Sequence, residues 1–410
     1  EDIWTSVYRN TYEYSRIINF PSADYDNHKA IAKIMKSFYF QYLVDIYGDV
    51  PYSQAHQGVA VPFPAYDDDQ AIYRDLIVQL DSAIDMINNA PSTTVSVGAE
   101  DVMLAGNMQN WIKFANTLKL RILLREATKA ETDATTATYL TDQFAALDQN
   151  FINFDLTINP GYSNGSDSRQ NPWINLMWEL QPDAAGNPVQ RNTYRFRKAS
   201  SYIAGQLNNT PADPRRSRLF TTTSGNVVGV VQGSPTAPTT ISSFGPGLMQ
   251  SQEQDGYVIL LAESLLLQAE AAERGYISGN PHVLFDAAIT ASMNRMGIFD
   301  DPVLGLFPVS DYIAAVNVVP AKGYAASTDK IEAIMYQKSI ALCSINGLES
   351  WIEYTRTGYI NNVPMPLGAT SPTGAKPMRL MYPTSELASN SANVPALSVN
   401  QSFTTAPFWK

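Results

Sequence analysis

The sequence predicts a mainly α-helical protein, built from helix pairs that carry a loop-rich lobe with minor β structure. Three observations lead there. Apolar residues recur at offsets of three and four through several segments of helical length. Asp, Pro and Gly stand at the ends of those segments, where caps and stops belong. Between about 153 and 254 the periodicity gives way to Gly, Pro, Asn, Ser and Thr.

The first periodic segment is Lys29 to Gly48, where Ile31, Ile34, Met35, Phe38, Tyr39, Tyr42, Leu43, Ile46 and Tyr47 form one apolar face. Asp67, Asp68 and Asp69 then supply an N-cap and first-turn acids for a helix carrying Ile72, Leu76, Ile77, Leu80, Ile84 and Ile87, and Pro91 ends it. The triple Asp is not a calcium loop, since the alternating ligands, central Gly and distal Glu of that motif are missing. Further helices are expected at Asn110–Ala130, Tyr257–Arg274, Val283–Met296 and Lys330–Ile345, grouped in antiparallel pairs. Gly347 reads as the stop of the last of these, and "GLESWIEYTRTG" restarts a helix. Leu348, Trp351, Ile352 and Tyr354 would form its buried stripe, with Glu349, Glu353 and Arg356 pairing across single turns. The pieces "NTYRFR" and "NVVGVV" in the loop-rich region are β-prone, and 298–327 and 359–410 are loop-rich as well.

No Gly/Ser-rich or Pro-rich linker divides the 410 residues, so one compact unit is expected. A content of 45% hydrophobic residues supports a large core, and no run reaches the roughly 20 apolar residues of a spanning helix. The net charge of −11 opposes a phosphate backbone and no Lys/Arg cluster is expected to offer a local exception, so no nucleic-acid partner is expected. The single Cys343 lies among aliphatic neighbours and is read as packing.

Chemistry is sparsely signalled. Gly161-Tyr162-Ser163-Asn164-Gly165 has the letters of a nucleophile elbow, but Pro160 before it and "SDSRQNP" after it deny the strand and helix that motif needs. Of the three histidines only His282 follows Ser163, at an expected helix start. No paired Cys or clustered His offers a metal site, and no cofactor is expected. Glycoside hydrolysis needs only two facing carboxylates, which 39 acids could supply, yet most have helical or turn duties, such as Asp213 beside Arg215.

Carbohydrate recognition is better supplied. Sugars present flat C–H faces between hydroxyl rims, which suit aromatic platforms flanked by amide and charged groups. "GYSNGSDSRQNPWINLMWEL" sets Tyr162, Trp173 and Trp178 among Asn164, Asp167, Arg169 and Asn171, and Tyr194 follows. These eight residues are the candidate glycan site. Trp173 and Tyr194 are expected as the exposed platform, whereas Trp111 and Trp351 on helical stripes are expected in the core.

The run from Gln337-Lys338 through "NGLESWIEYTRTGY" to "PMRLMYPTSELASNSANVP" resembles the C-terminal signature of the SusD/RagB family, glycan-binding outer-membrane lipoproteins of Bacteroidetes. Five further segments fit in order: Ala30–Ala55, Tyr66–Ile87, Asn110–Ala127, Ile203–Phe220 and Val258–Ile277. The resemblance implies tetratricopeptide-type helix pairs at about 1–150 and 254–358, with a binding lobe from 153–253, 298–327 and 359–410, all in one domain. It also implies a non-catalytic, surface-exposed protein that passes oligosaccharide to a TonB-dependent, SusC-like transporter. Family members begin with a signal peptide and a lipidated Cys, so this chain reads as N-terminally truncated and its anchor to the outer membrane as implied. Two other readings are a helical-repeat adaptor that binds peptide or protein for import, and a surface glycosidase.

Overall fold

The computed structural model describes residues 2–410. The chain falls into two compact units: 1–152 with 355–357 and 370–410, and 153–354 with 358–369. This division differs from the expected scaffold and lobe, because the loop-rich segment and the helices that follow it share one unit.

The first unit opens with α1 (Asp2–Ile18), α2 (Asp26–Tyr47), α3 (Asp69–Asn88), α4 (Met108–Arg125), α5 (Ala127–Ala130) and α6 (Ala134–Ala146). Each of α1 to α4 packs on the next. The first helix escaped the sequence reading because its inward face mixes Trp4 and Val7 with Thr11 and Ser15, whose hydroxyls donate to backbone carbonyls one turn back. Helix α2 ends at Gly48, whose φ of 75° suits a residue without a side chain. Asp68 caps α3 through Ala71 N–H, as expected, while Asp67 accepts from the N–H groups of Tyr52 and Ser53. The expected helix 110–130 is broken at Glu126, between α4 and α5. Trp111 is buried, and its indole N–H donates to Asp101.

Residues 370–410 return to this unit with α16 (Thr384–Ser389) and α17 (Val399–Thr404), which follow the helices of the second unit along the chain. Polar side chains fasten it. Arg379 donates to the Tyr382 hydroxyl, which donates to Asp49 O at 2.9 Å; Tyr66 donates to Glu386, and Asn390 donates to Pro64 O at 2.9 Å. Trp4, Tyr8, Tyr47, Tyr66 and Tyr382 form an aromatic nest beneath these bonds.

The second unit carries a hairpin-like pair, β1 (Leu156–Ile158) and β2 (Gly256–Ile259), antiparallel with Thr157 opposite Tyr257. Between them lie α7 (Pro172–Met177), α8 (Asn192–Phe196), α9 (Ser201–Asn208) and α10 (Arg216–Leu219). After β2 come α11 (Leu261–Glu273), α12 (Pro281–Arg295), α13 (Pro308–Val316), α14 (Lys330–Ala341) and α15 (Gly347–Thr357), of which 355–357 fall to the first unit. Here α12 and α14 pack on α11, and α13 packs on α12. Four expectations are corrected. Tyr257–Ile259 is strand rather than helix start, "NTYRF" is a short helix, "NVVGVV" makes only isolated bridges, and α13 occupies a stretch read as loop.

The junction of α14 and α15 also differs. Gly347 opens α15; the left-handed residue after α14 is Ser344, at φ 62°, and Asn346 caps α15 by accepting from Glu349 N–H. Gly358, at φ 79°, closes it. Trp351 is only half-buried, and the inward face carries Glu349, Ile352, Glu353 and Arg356. Charges can line this face because the ammonium of buried Lys338 stands 3.2 Å from both Glu349 and Glu353.

Candidate functional site

Around the start of β2 the second unit holds a cavity of about 200 Å³, lined by Trp173, Leu248, Asp255, Tyr257, Ser344 and Ile345 among others. Local sequence explains each wall. Asn171 ends a turn and caps α7: its side-chain oxygen accepts from Trp173 and Ile174 N–H, and its amide donates to Gln254 O at 2.9 Å. Pro172 follows at the first helical position, where its missing N–H costs nothing. That cap aims Trp173, whose ring rests on Phe244 at 5.1 Å and packs, partly buried, against the core of this unit. Among the described residues the indole N–H makes no hydrogen bond, so it is available to a ligand.

Asp255 is exposed and held from both sides, by the Thr157 hydroxyl at 3.0 Å and the Asn159 amide at 2.9 Å. The same Asn159 accepts from Tyr162 N–H at 2.8 Å. This brings Tyr162 beside β2, its hydroxyl 3.8 Å from where a Gly256 Cβ would stand. Burial, and then the Asp255 charge, push the Tyr162 phenol above its ordinary pKa, so it stays a neutral donor. The guanidinium of Arg295 stands 5.2 Å from the centre of the Tyr257 ring and steadies that wall. An apolar ring, a carboxylate and hydroxyls thus converge on one opening.

Of the eight candidate residues, Tyr162, Asn171 and Trp173 gather here. Asn171 is buried and its side chain is spent on the cap, so it shapes the wall. Asn164 and Arg169 are exposed on the preceding loop, which Ser163 N–H closes onto Arg169 O at 2.8 Å. Asp167 pairs with Arg191 at 3.1 Å, and Arg191 also donates to Trp178 O. Trp178 is half-buried against the core of this unit. Tyr194 corrects an expectation: only 7% of it is exposed, and its hydroxyl donates to Phe244 O at 2.9 Å, so its ring is core and offers no platform.

Sequence reading missed Asp255, Tyr257 and Ser344. They lie more than eighty residues from Trp173; Tyr257 and Ser344 fall in stretches assigned to helices, Asp255 stands just before β2, and the β1–β2 pairing with the Asn171 bond to Gln254 O brings the β2 segment to the Trp173 motif. The nucleophile-elbow letters fall in irregular loop, with no helix following Ser163 directly. His282 stacks on Tyr324 with ring centroids 5.1 Å apart. Arg215 is fully buried and braced by Asp213, as expected, and burial pushes the Cys343 thiol up to about 11, which keeps it inert.

A family model for SusD-like proteins, described as "Starch-binding associating with outer membrane", matches residues 1–383. The chain belongs to the SusD-like family. Its structure resembles that of a chitin-binding protein at 26% identity and TM-score 0.74, covering 96% of this chain and 82% of the other. A chitin-binding SusD homologue from Flavobacterium johnsoniae follows at 23% and 0.72, covering 95% and 81%. A SusD homologue from Bacteroides fragilis matches at 18% and 0.71, covering 95% and 84%. No curated protein matches. The SusD-like fold of this chain is therefore the expected one, mainly α with helix pairs of tetratricopeptide type, and outer-membrane association comes with the family.

Proposed function

We propose that the protein binds glycan without chemistry, through the Trp173–Tyr257–Asp255 cavity, and hands it to a TonB-dependent transporter of the outer membrane. The observation that carries this reading is a partly buried Trp173 ring, lining a cavity with a free indole N–H and an oriented carboxylate, in a SusD-like chain. A cavity of about 200 Å³ is below the few hundred Å³ of a site that engulfs a ligand, so it seats one part of an oligosaccharide while the rest runs over the surface. Both Asp255 oxygens already accept hydrogen bonds, and no second carboxylate lines the cavity, which favours binding over the paired-acid chemistry of a glycosidase.

Delivery follows from a physical need. No helix among the described residues is long and apolar enough to cross a membrane, and a polar sugar crosses only through a closed structure with satisfied backbone. The transporter supplies that path. Two chitin-binding relatives make chitooligosaccharides the first probe. Calorimetric titration with chito- and maltooligosaccharides tests the reading: saturable binding that Trp173→Ala abolishes supports it. Absence of binding to every glycan offered, or release of reducing ends, overturns it.

A further inference from the structure

The net charge of −11 hides a reversal along the chain. From Ala184 to Gln252 the only acid is Asp213, whereas Arg191, Arg195, Arg197, Lys198, Arg215, Arg216 and Arg218 all fall there. The expectation that no basic cluster stands out is thus corrected. The structure then decides which of these charges are spent. Arg191 is neutralised by Asp167 and Glu179, and Arg215 by Asp213. Among the described residues, none of the other five has a carboxylate within ion-pairing distance.

Two of the five meet at one strap. The strap 242–247 takes backbone hydrogen bonds from both sides: Ala199 N–H donates to Ser242 O, Thr221 N–H to Ser243 O, and Gly247 N–H to Arg218 O. Lys198 and Arg218 therefore flank the same strap, and Lys198 donates to the Ser243 hydroxyl on it. Arg195 and Arg197, just before Lys198 in the chain, are exposed. Between them stands Phe196, 82% exposed, a large apolar ring that the core of the unit does not use.

We propose that Arg195, Phe196 and Arg197, backed by Lys198, form a binding site for anionic glycan, a sugar chain bearing carboxylate or sulfate groups. A flat ring suits the C–H face of a sugar, and flanking guanidinium forks match the planar, bidentate geometry of carboxylate and sulfate oxygens. Unpaired arginines on an acidic protein raise the local potential where the average would repel such a chain. The site rests on the glycan-binding reading above and adds the class of sugar.

Titration of the whole protein with oligogalacturonate, chondroitin sulfate fragments and chitooligosaccharide separates the cases. The acidic glycans are expected to bind, and to bind more weakly as salt rises. Carboxylated and sulfated probes binding alike points to charge recognition, and a preference for one identifies the group. The double variant Arg195→Gln/Arg197→Gln is expected to weaken acidic-glycan binding by about tenfold, as two surface charge contacts would. Phe196→Ala is expected to weaken it several-fold, and neither change to alter chitooligosaccharide binding. Equal binding of polyglutamate, or acidic-glycan binding indifferent to these variants, overturns the proposal. Neutral glycan bound and acidic glycan refused overturns it while sparing the reading it rests on; refusal of both overturns both.

Discussion

The Lys338 ammonium lies 3.2 Å from the Glu349 carboxylate with 2% and 0% of the two side chains exposed. Glu353 completes a buried triad at the same distance. Removing the cation leaves two acids out of water, which is costlier than the pair itself was favourable. Lys338→Met is expected to destabilise by about 3 kcal/mol, read from the midpoint of urea unfolding. A loss within about 0.5 kcal/mol would show that water or other groups already screen the acids.

Arg215 tests a second buried charge. It reaches Asp213 through Nε and Nη2 at 2.9 and 2.7 Å, Ser292 at 3.0 Å and Gln337 at 2.8 Å. A lysine keeps the charge but has no fork to span these partners. Arg215→Lys is expected to cost about 2 to 3 kcal/mol of stability while leaving glycan affinity unchanged in the folded protein. A shift in affinity at temperatures where the variant stays folded would place Arg215 in the binding machinery.

Trp173 and Tyr194 are expected to separate cleanly. Trp173→Ala removes a ring that lines the cavity and packs only partly buried on the core, so it costs less stability than Tyr194→Ala and more binding. Tyr194→Ala empties a core position and breaks the bond to Phe244 O, at a cost of about 3 kcal/mol. Thermal unfolding and calorimetry on both variants decide it. If Trp173→Ala unfolds the protein at ordinary temperature, its ring is core and the site assignment fails.

His56 predicts a pH effect. Burial and then the Lys36 charge lower its pKa from 6.5 to about 4 in the folded protein. Between those values the unfolded chain binds the extra proton. The contribution of His56 to stability is therefore complete above about 6.5 and is lost as pH falls towards 4. Because the ring is partly exposed, the loss is on the order of 1 kcal/mol. Urea midpoints of wild type and His56→Gln across this range are expected to converge as the pH drops; parallel curves would show that the ring already protonates when folded.

Helices α2, α3 and α4 were legible because a long apolar period leaves little choice of structure. Others were hidden by what periodicity ignores. The inward face of α1 uses Thr11 and Ser15, and that of α15 uses a triad of opposite charges, so hydropathy alone misplaces Trp351. "NTYRF" carries β-prone residues yet turns as α8, since its Tyr194 anchor is set by tertiary packing. At the site, Trp173 and Tyr162 were visible as aromatics among polar loop residues, but their partners Asp255 and Tyr257 come from the start of a strand that tertiary pairing locates. The basic stretch was missed because a net charge averages over the whole chain.

The bonds that fasten the chain's end have a temporal meaning. Tyr382 meets Asp49 and Asn390 meets Pro64 across more than three hundred residues of intervening chain. A ribosome emitting this polypeptide delivers the first six helices long before the segment that caps them. Until then Asp49 and Pro64 wait with their carbonyls open and the Trp4 nest lacks Tyr382. Completion of the first unit thus waits for the segment 370–410, and closure of such distant contacts is slow. Until that segment arrives, the apolar surface of the earlier helices is open to aggregation.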